Sequence, residues 1–392
     1  MSSSFSRQVA LSARLDACAF IATSFGFGPV SKAVSIAQEL KAQAPSLQAH
    51  YFGAGIDYDF ARKSAVFDRL CKVDADRRET LIELLPQLTS YRAVFSILNL
   101  DLVRLWKKTS TPLYFVDSLA WMWQSLPEGI ENSAAYFVQD YLIPAERISE
   151  WSAKSKLVLV APIETASDAA DGTPSSKENQ LLINFSGCAN PFAPPELYEQ
   201  YALVLATAIL SAAGDDYERI IFCCNQQLAS YLQNRLPASS AVTVGHFAHE
   251  EFLSLLRSSL LVLSAPGITT TLEAIATRAI VRFLLPQNDS QALLGEQYRS
   301  LLGDNACMAF SRFGSEFALP PALPEREKIR FALQSLKTIL DGCQPQISGM
   351  IRELLNVPSS YSLAPLKQHI TQNWKAPGQQ AVISHVLSDL TR

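Results

Sequence analysis

Short apolar runs alternate along the chain with stretches whose apolar residues recur every three or four positions. Ala17-Cys18-Ala19-Phe20-Ile21-Ala22 is a continuous apolar run of strand length, followed by the polar, glycine-rich Thr23 to Pro29. From Val30 to Gln43, Val34, Ala37 and Leu40 share one helical face, so this helix has a side to lay on a sheet. Further strand-like runs lie at 48–52, 93–98, 113–116, 135–138 and 157–160. Strands and helices taking turns predict a parallel sheet with helices on both faces.

The pattern breaks at 165–179, where large apolar residues nearly vanish and Gly172, Pro174, Ser175 and Ser176 cluster, as in a linker or surface loop. It restarts at Leu181-Leu182-Ile183-Asn184-Phe185 and continues through 219–224, 241–244, a run entering Leu261-Val262-Leu263, and 280–285. From Glu325 to Arg392 the pattern is helical. The expected organisation is a first α/β domain over 1–164, a linker over 165–180, a second over 181–345, and closing helices over 346–392. A length of 392 residues with 48% hydrophobic content supports two cores. The expected fold class is α/β, two Rossmann-like doubly wound domains facing a cleft.

A net charge of −4 provides no basic footprint for a nucleic-acid polymer. The cysteines at 18, 71, 188, 223, 224, 307 and 343 include no Cys-x-x-Cys pair and suit reduced, buried thiols. Met1 to Arg7 lacks the apolar core of a signal peptide, and no run reaches the ~18 apolar residues of a membrane span. The expectation is a soluble cytoplasmic protein, monomer or homodimer, with small-molecule partners.

The most specific chemistry lies where the run ending at Ser264 meets Ala265-Pro266-Gly267 and then Ile268-Thr269-Thr270-Thr271-Leu272-Glu273. Gly267 admits close approach of a ligand to the backbone. The first amides of the following helix, those of Ile268, Thr269 and Thr270, have no acceptor within the helix, and its dipole favours an anion there. Glu273 falls about one and a half turns on, within reach of a hydroxyl attached to a bound phosphate. The next strand empties into Pro286-Gln287-Asn288-Asp289-Ser290-Gln291, a polar loop on the same sheet edge.

From about Val242 to Gln297 the chain resembles the nucleotide-sugar half of GT-B glycosyltransferases, notably the GlcNAc transferase of peptidoglycan synthesis and the wider UDP-glycosyltransferase group. The resemblance implies that Gly267 and Thr270 hold a diphosphate, that Glu273 meets the ribose, and that Asp289 and Gln291, with Asn288 beside them, meet the donor sugar. It also implies that the base lies by Gly245-His246-Phe247, and that Ser264 and the loop Ser186-Gly187 lie near the donor. Transfer would invert the anomeric centre without a metal, and without a cofactor beyond a UDP-linked donor. No Asp-x-Asp accompanies the donor half. His246 and His249 lack a convincing third ligand, and His249 suits a surface helix start better than a metal site.

The acceptor side is less determined. Gly26-Phe27-Gly28 either receives a ligand or is a tight turn, and where related enzymes carry a candidate His base this chain has Pro29. Asp117, directly after an apolar strand, is the candidate general base, with Ser118, Trp121 and Trp123 offering an acceptor surface. The same residues also suit a helix cap and a core. Asp140 is a second candidate base, and Asn190 either reaches the acceptor or belongs to a plain loop. This segment loosely resembles enzymes that attach glucuronic acid to cytosine, which implies a planar acceptor such as a nucleobase or natural product. The rival functions are a UDP-sugar 2-epimerase and a catalytically inactive sugar-nucleotide-binding protein.

Overall fold

The computed structural model describes residues 15–107, 109–163, 177–185, 188, 190, 192–356, 358, 361–370 and 374–391. Most of the predicted linker, together with Ser186 and Gly187, therefore lies outside the described residues. The first half runs β1 (Ala17–Ala22), α1 (Gly28–Gln43), β2 (Gln48–Gly53), α2 (Gly55–Ser64), β3 (Arg69–Lys72), α3 (Arg78–Leu88), β4 (Ala93–Ile97), α4 (Leu100–Leu105), β5 (Leu113–Asp117), β6 (Ala135–Gln139), α5 (Ala145–Ser152) and β7 (Leu157–Val160). The second runs β8 (Glu178–Asn184), α6 (Pro195–Ala213), β9 (Arg219–Cys223), α7 (Gln226–Gln233), β10 (Val242–Gly245), α8 (His249–Ser258), β11 (Ser259–Ser264), α9 (Ile268–Thr277), β12 (Val281–Phe283) and α10 (Asp289–Leu302). The closing helices are α11 (Glu325–Gly342), α12 (Gln344–Leu355), α13 (Ala364–Ile370) and α14 (Gly378–Leu390).

Strand order is β3-β2-β1-β4-β5-β6-β7 in one sheet and β10-β9-β8-β11-β12 in the other, with parallel pairing throughout. Both sheets start from a central strand, wind outward, then return and wind the other way, which is the doubly wound arrangement with its switch points beside β1/β4 and β8/β11. The central strands are buried on both faces, so they read as unbroken apolar runs: Phe20, Phe95, Leu182 and Val262 are each fully enclosed.

β3 has no counterpart among the predicted strands. Its sequence, Arg-Leu-Cys-Lys, carries charges at both ends and lies on a sheet edge. An edge strand has one free side, so the apolar signal thins out. β8 begins at Glu178, three residues before the apolar run, because its first residues pair at the rim beside Ser259 and Arg219.

The last helix packs on the first domain. Val382, Ile383 and Val386 of α14 join the core that holds Phe20, Val30 and Val34, and Tyr114 donates to Asp389 at 3.4 Å. Gly378 opens that helix against the carbonyl of Ala161, where a side-chain carbon would overlap the oxygen. Gly378→Ala is therefore expected to lower the melting temperature by the equivalent of about 1–3 kcal/mol, read by calorimetry. An unchanged transition would show that this packing is loose.

Candidate functional site

In doubly wound sheets, ligands bind beyond the carboxyl ends of the strands, at the switch point. Here the loops after β1, β8 and β11 meet the loops after β3, β10 and β12 around one cavity of about 1480 Å³ between the sheets. Its walls include Gly26, Phe27, Gly28, Ser118 and Trp123 from the first half. From the second come His246, Phe247, Gly267, Ile268, Thr269, Thr270, Glu273, Asn288, Asp289 and Gln291.

On the donor side, α9 starts at the cleft. Gly267 is its N-cap and supplies no side-chain acceptor, so the amides of Ile268 to Thr270 have no acceptor within the helix. Gly267 is in extended backbone, φ −159°, and an added Cβ would meet only the Ala265 oxygen at 3.8 Å. Glycine thus keeps the space in front of the amides clear and relieves no strain. The turn is braced from behind. Asn184, at the end of β8, donates to Thr270 Oγ1 at 3.2 Å and to Ser264 Oγ at 3.3 Å. Ser264 itself is fully buried, donates to the Ala265 carbonyl, and is not on the cavity wall, so its placement among the donor ligands is corrected to a support beneath them.

Glu273 faces the cavity from within α9, 6% exposed, with His249 Nε2 3.4 Å from its Oε1. Burial lowers the His249 pKa and so favours its neutral form. His249 begins α8, as its residue pattern suggested, but it points into the cleft rather than to open surface. His246 also lines the cleft, its Nδ1 3.2 Å from the Cys224 carbonyl, and burial depresses its pKa. Among the described residues no three His, Cys, Asp or Glu side chains gather as a metal-binding group. Asn288 caps α10, its Oδ1 accepting from Gln291 N and Ser290 Oγ at 2.9 Å each. Gln291 Oε1 accepts from Gln287 N at 2.9 Å, so both side chains also hold the loop in shape. Burial raises the Asp289 carboxyl to about 6.

The first-half wall departs from expectation at Asp117. It is fully buried and absent from the cavity wall. Oδ1 accepts from Leu119 N at 2.6 Å, and Oδ2 accepts from Tyr136 OH at 2.7 Å and Trp123 Nε1 at 3.0 Å. Burial pushes its carboxyl up to about 6. Enclosed by three donors, it organises the loop after β5 and has no access to an acceptor, which corrects its reading as the general base. Trp121 is likewise core, its Nε1 donating to the Ser118 carbonyl at 3.2 Å, while Trp123 reaches the cavity edge. Asp140 is buried away from the cavity. Asn190 turns back to accept from Phe192 N at 2.8 Å. Gly26 has φ +66°, where a side chain is disfavoured, and Gly28 lies opposite Thr269 across the cleft.

Other residues take the places left open. Asp76, at the end of the β3–α3 loop, lines the cavity and is grasped by the loop after β1. Thr23 Oγ1 donates to it at 2.8 Å, Ser24 N at 3.1 Å, and Ser24 Oγ through a short bond. Asp57, on α2 beside it, accepts from Tyr51 OH at 2.9 Å, and burial raises its carboxyl to about 6. Lys32 of α1 is 3% exposed and reaches across to Thr269. An aromatic group spans the mouth of the cleft: Phe27 pairs with Phe60 and His246, and Phe25 with the exposed Phe192. Lys32 carried one legible signal, a lone cation amid Val30, Ala33, Val34 and Ile36. Asp76 carried none, because it follows the unpredicted β3.

No protein-family model matches the sequence, and no curated protein matches it. Solved structures do. A UDP-glucose:anthocyanidin 3-O-glucosyltransferase in complex with UDP is similar at 12% identity and TM-score 0.52 over 96% of this chain and 98% of that one. MnaA of S. aureus with UDP is similar at 12% and 0.53 over 96% of each. A UDP-glucosyltransferase of Polygonum tinctorium able to glucosylate indoxyl, in complex with 3,4-dichloroaniline, is similar at 12% and 0.52 over 97% of this chain and all of that one. These likenesses over nearly the whole length establish the fold as GT-B. No helix among the described residues is long and apolar enough to cross a membrane.

Glu273→Gln is expected to weaken UDP binding about tenfold or more, since a hydrogen bond from a hydroxyl to a charged group contributes about 1.5–3 kcal/mol. Calorimetric titration measures it, and an unchanged dissociation constant would remove Glu273 from the nucleotide. Asp117→Asn sets an amide nitrogen against hydrogen-bond donors. A lowered melting temperature, equivalent to about 1–3 kcal/mol, is expected with UDP affinity unaltered. A folded variant of normal stability would contradict the structural role.

Proposed function

We propose that the protein is a glycosyltransferase that moves a sugar from a nucleoside-diphosphate donor, UDP-linked, to a small planar acceptor such as a nucleobase or a natural product. The observation that carries this reading is the uncapped start of α9, which opens on a cleft between two Rossmann-like sheets with Glu273 beyond it and Asp289 beside it. The UDP held by similar structures supports the choice of nucleotide.

In this reading the amides of Ile268 to Thr270 take the charge that grows on the departing diphosphate, electrostatic stabilisation that needs no divalent ion. The acceptor enters from the first half, over Phe27, Met122 and Trp123, all on the cavity wall. It attacks the anomeric carbon from the side opposite the diphosphate, inverting it. Asp76, oriented by Thr23 and Ser24, is the carboxylate placed to accept the acceptor's proton in the role first given to Asp117.

The 2-epimerase reading retains support from one observation, the gathering of Asp57, Asp76, Lys32 and His249 around the same cleft. Incubation with UDP-glucose, UDP-glucuronate and UDP-GlcNAc, with and without cytosine and planar phenols, separates the readings by mass spectrometry for a glycosylated acceptor and by proton NMR for an epimerised sugar of unchanged mass. A glycosylated acceptor and UDP, formed in the presence of a chelator, are expected. A changed sugar on intact UDP would establish epimerisation, and binding without turnover an inactive protein. Asp76→Asn is expected to lower transfer by about a hundredfold or more with UDP affinity unchanged. Full turnover in that variant would place the base elsewhere.

A further inference from the structure

Lys32 is the one cation carried into the cleft by the buried face of α1. Burial of a lysine costs free energy unless its charge is compensated. The two oxygens that Nζ reaches, the Gly28 carbonyl and Thr269 Oγ1, both at 3.3 Å, are neutral. One belongs to the turn that starts α1 and the other to the first turn of α9, in the opposite domain. The ammonium therefore stands where the loops of both halves converge, in front of a helix start whose amides lack acceptors. Glu273 favours its charge from further along α9, and burial outweighs that effect, drawing its pKa down to about 8. A cation held short of full compensation beside an anion-receiving helix start is a site prepared for negative charge.

We propose that Lys32 is the first domain's ligand to the diphosphate of the bound nucleotide, completing across the cleft a site whose other half is the α9 turn. This rests on the nucleotide-sugar reading above and deepens it. The ammonium replaces its contact with Thr269 by a charged contact with phosphate oxygen. During transfer the bond from the anomeric carbon to the diphosphate breaks and its electron pair stays on the diphosphate, where Lys32 and the helix amides share the new charge. Gly28 lies beside both groups, an added Cβ standing at ordinary contact distance, 3.8 Å from Thr269 Oγ1 and 4.0 Å from Lys32 Nζ.

The test compares Lys32→Met and Lys32→Arg with the wild type. UDP is titrated calorimetrically, uridine binding is followed by ligand-observed NMR, and melting temperature is recorded without ligand. Lys32→Met is expected to bind UDP about tenfold to a hundredfold more weakly, to bind uridine as the wild type does, and to melt no lower, because methionine fills the buried site without a charge. Lys32→Arg is expected to retain part of the UDP affinity. Equal UDP affinity in wild type and Lys32→Met overturns the assignment. So does a joint loss of UDP and uridine binding with a lowered melting temperature, which marks a structural lysine. A wild-type protein that binds neither UDP nor uridine instead overturns the nucleotide-sugar reading, and this assignment with it.

Discussion

The parallel polarity of both sheets is the constraint from which the cleft follows. Parallel neighbours cannot be joined by tight turns, so each connection crosses over, in most cases through an α-helix, and every strand delivers its carboxyl end to the same edge. Two such sheets facing each other bring the loops after β1, β3, β8, β11 and β12 to one space. A buried apolar cluster runs from the first half, with Trp121 and Tyr141, into the second, with Ile268, Leu272 and Tyr298, and polar contacts thread it. Tyr141 of the first and Tyr298 of α10 share a buried hydrogen bond at 2.5 Å, and Thr271 of α9 joins them at 3.1 Å. That chain ties the first turn of α9, with its exposed amides, to the frame of the opposite domain.

Most of this frame was legible because buried parallel strands are written as uninterrupted apolar runs. β1 and β7 match their predicted bounds, and α1 starts only two residues before the predicted helix. Strand ends and edges were harder. The edge strand β3 carries a charge at each end, and the first residues of the central β8 are polar because they emerge from the buried part of the sheet. The turn at Gly267 was readable for a local reason, since a strand, a glycine and a helix start are contiguous in sequence.

The first-half wall of the cleft was not readable in the same way, because its geometry is assembled from distant segments. Asp117 ends β5 and Asp76 lies beyond β3, and sequence alone cannot tell a carboxylate enclosed by Tyr136 and Trp123 from one held open by Thr23 and Ser24. Tyr136 lies on the neighbouring strand and Ser24 precedes Asp76 by 52 positions, so neither partner shows in local pattern. Lys32 illustrates the converse. It follows Val30 and precedes Ala33 and Val34 in sequence but lies off the helical face that Val34, Ala37 and Leu40 share, and only the fold revealed that it is buried against another domain.

The return of α14 to the first domain affects how the molecule comes into being. The face of α1 that receives Val382, Ile383 and Val386 is made early in synthesis, and the segment that covers it is made after the whole second domain. Until then the first domain holds an apolar surface open to water and to other nascent chains, so its core closes only once the polypeptide has passed through both halves. Completion of the first core thus waits for the last helix to be released from the ribosome, and a chain cut short before α14 presents an uncovered apolar face rather than a finished half.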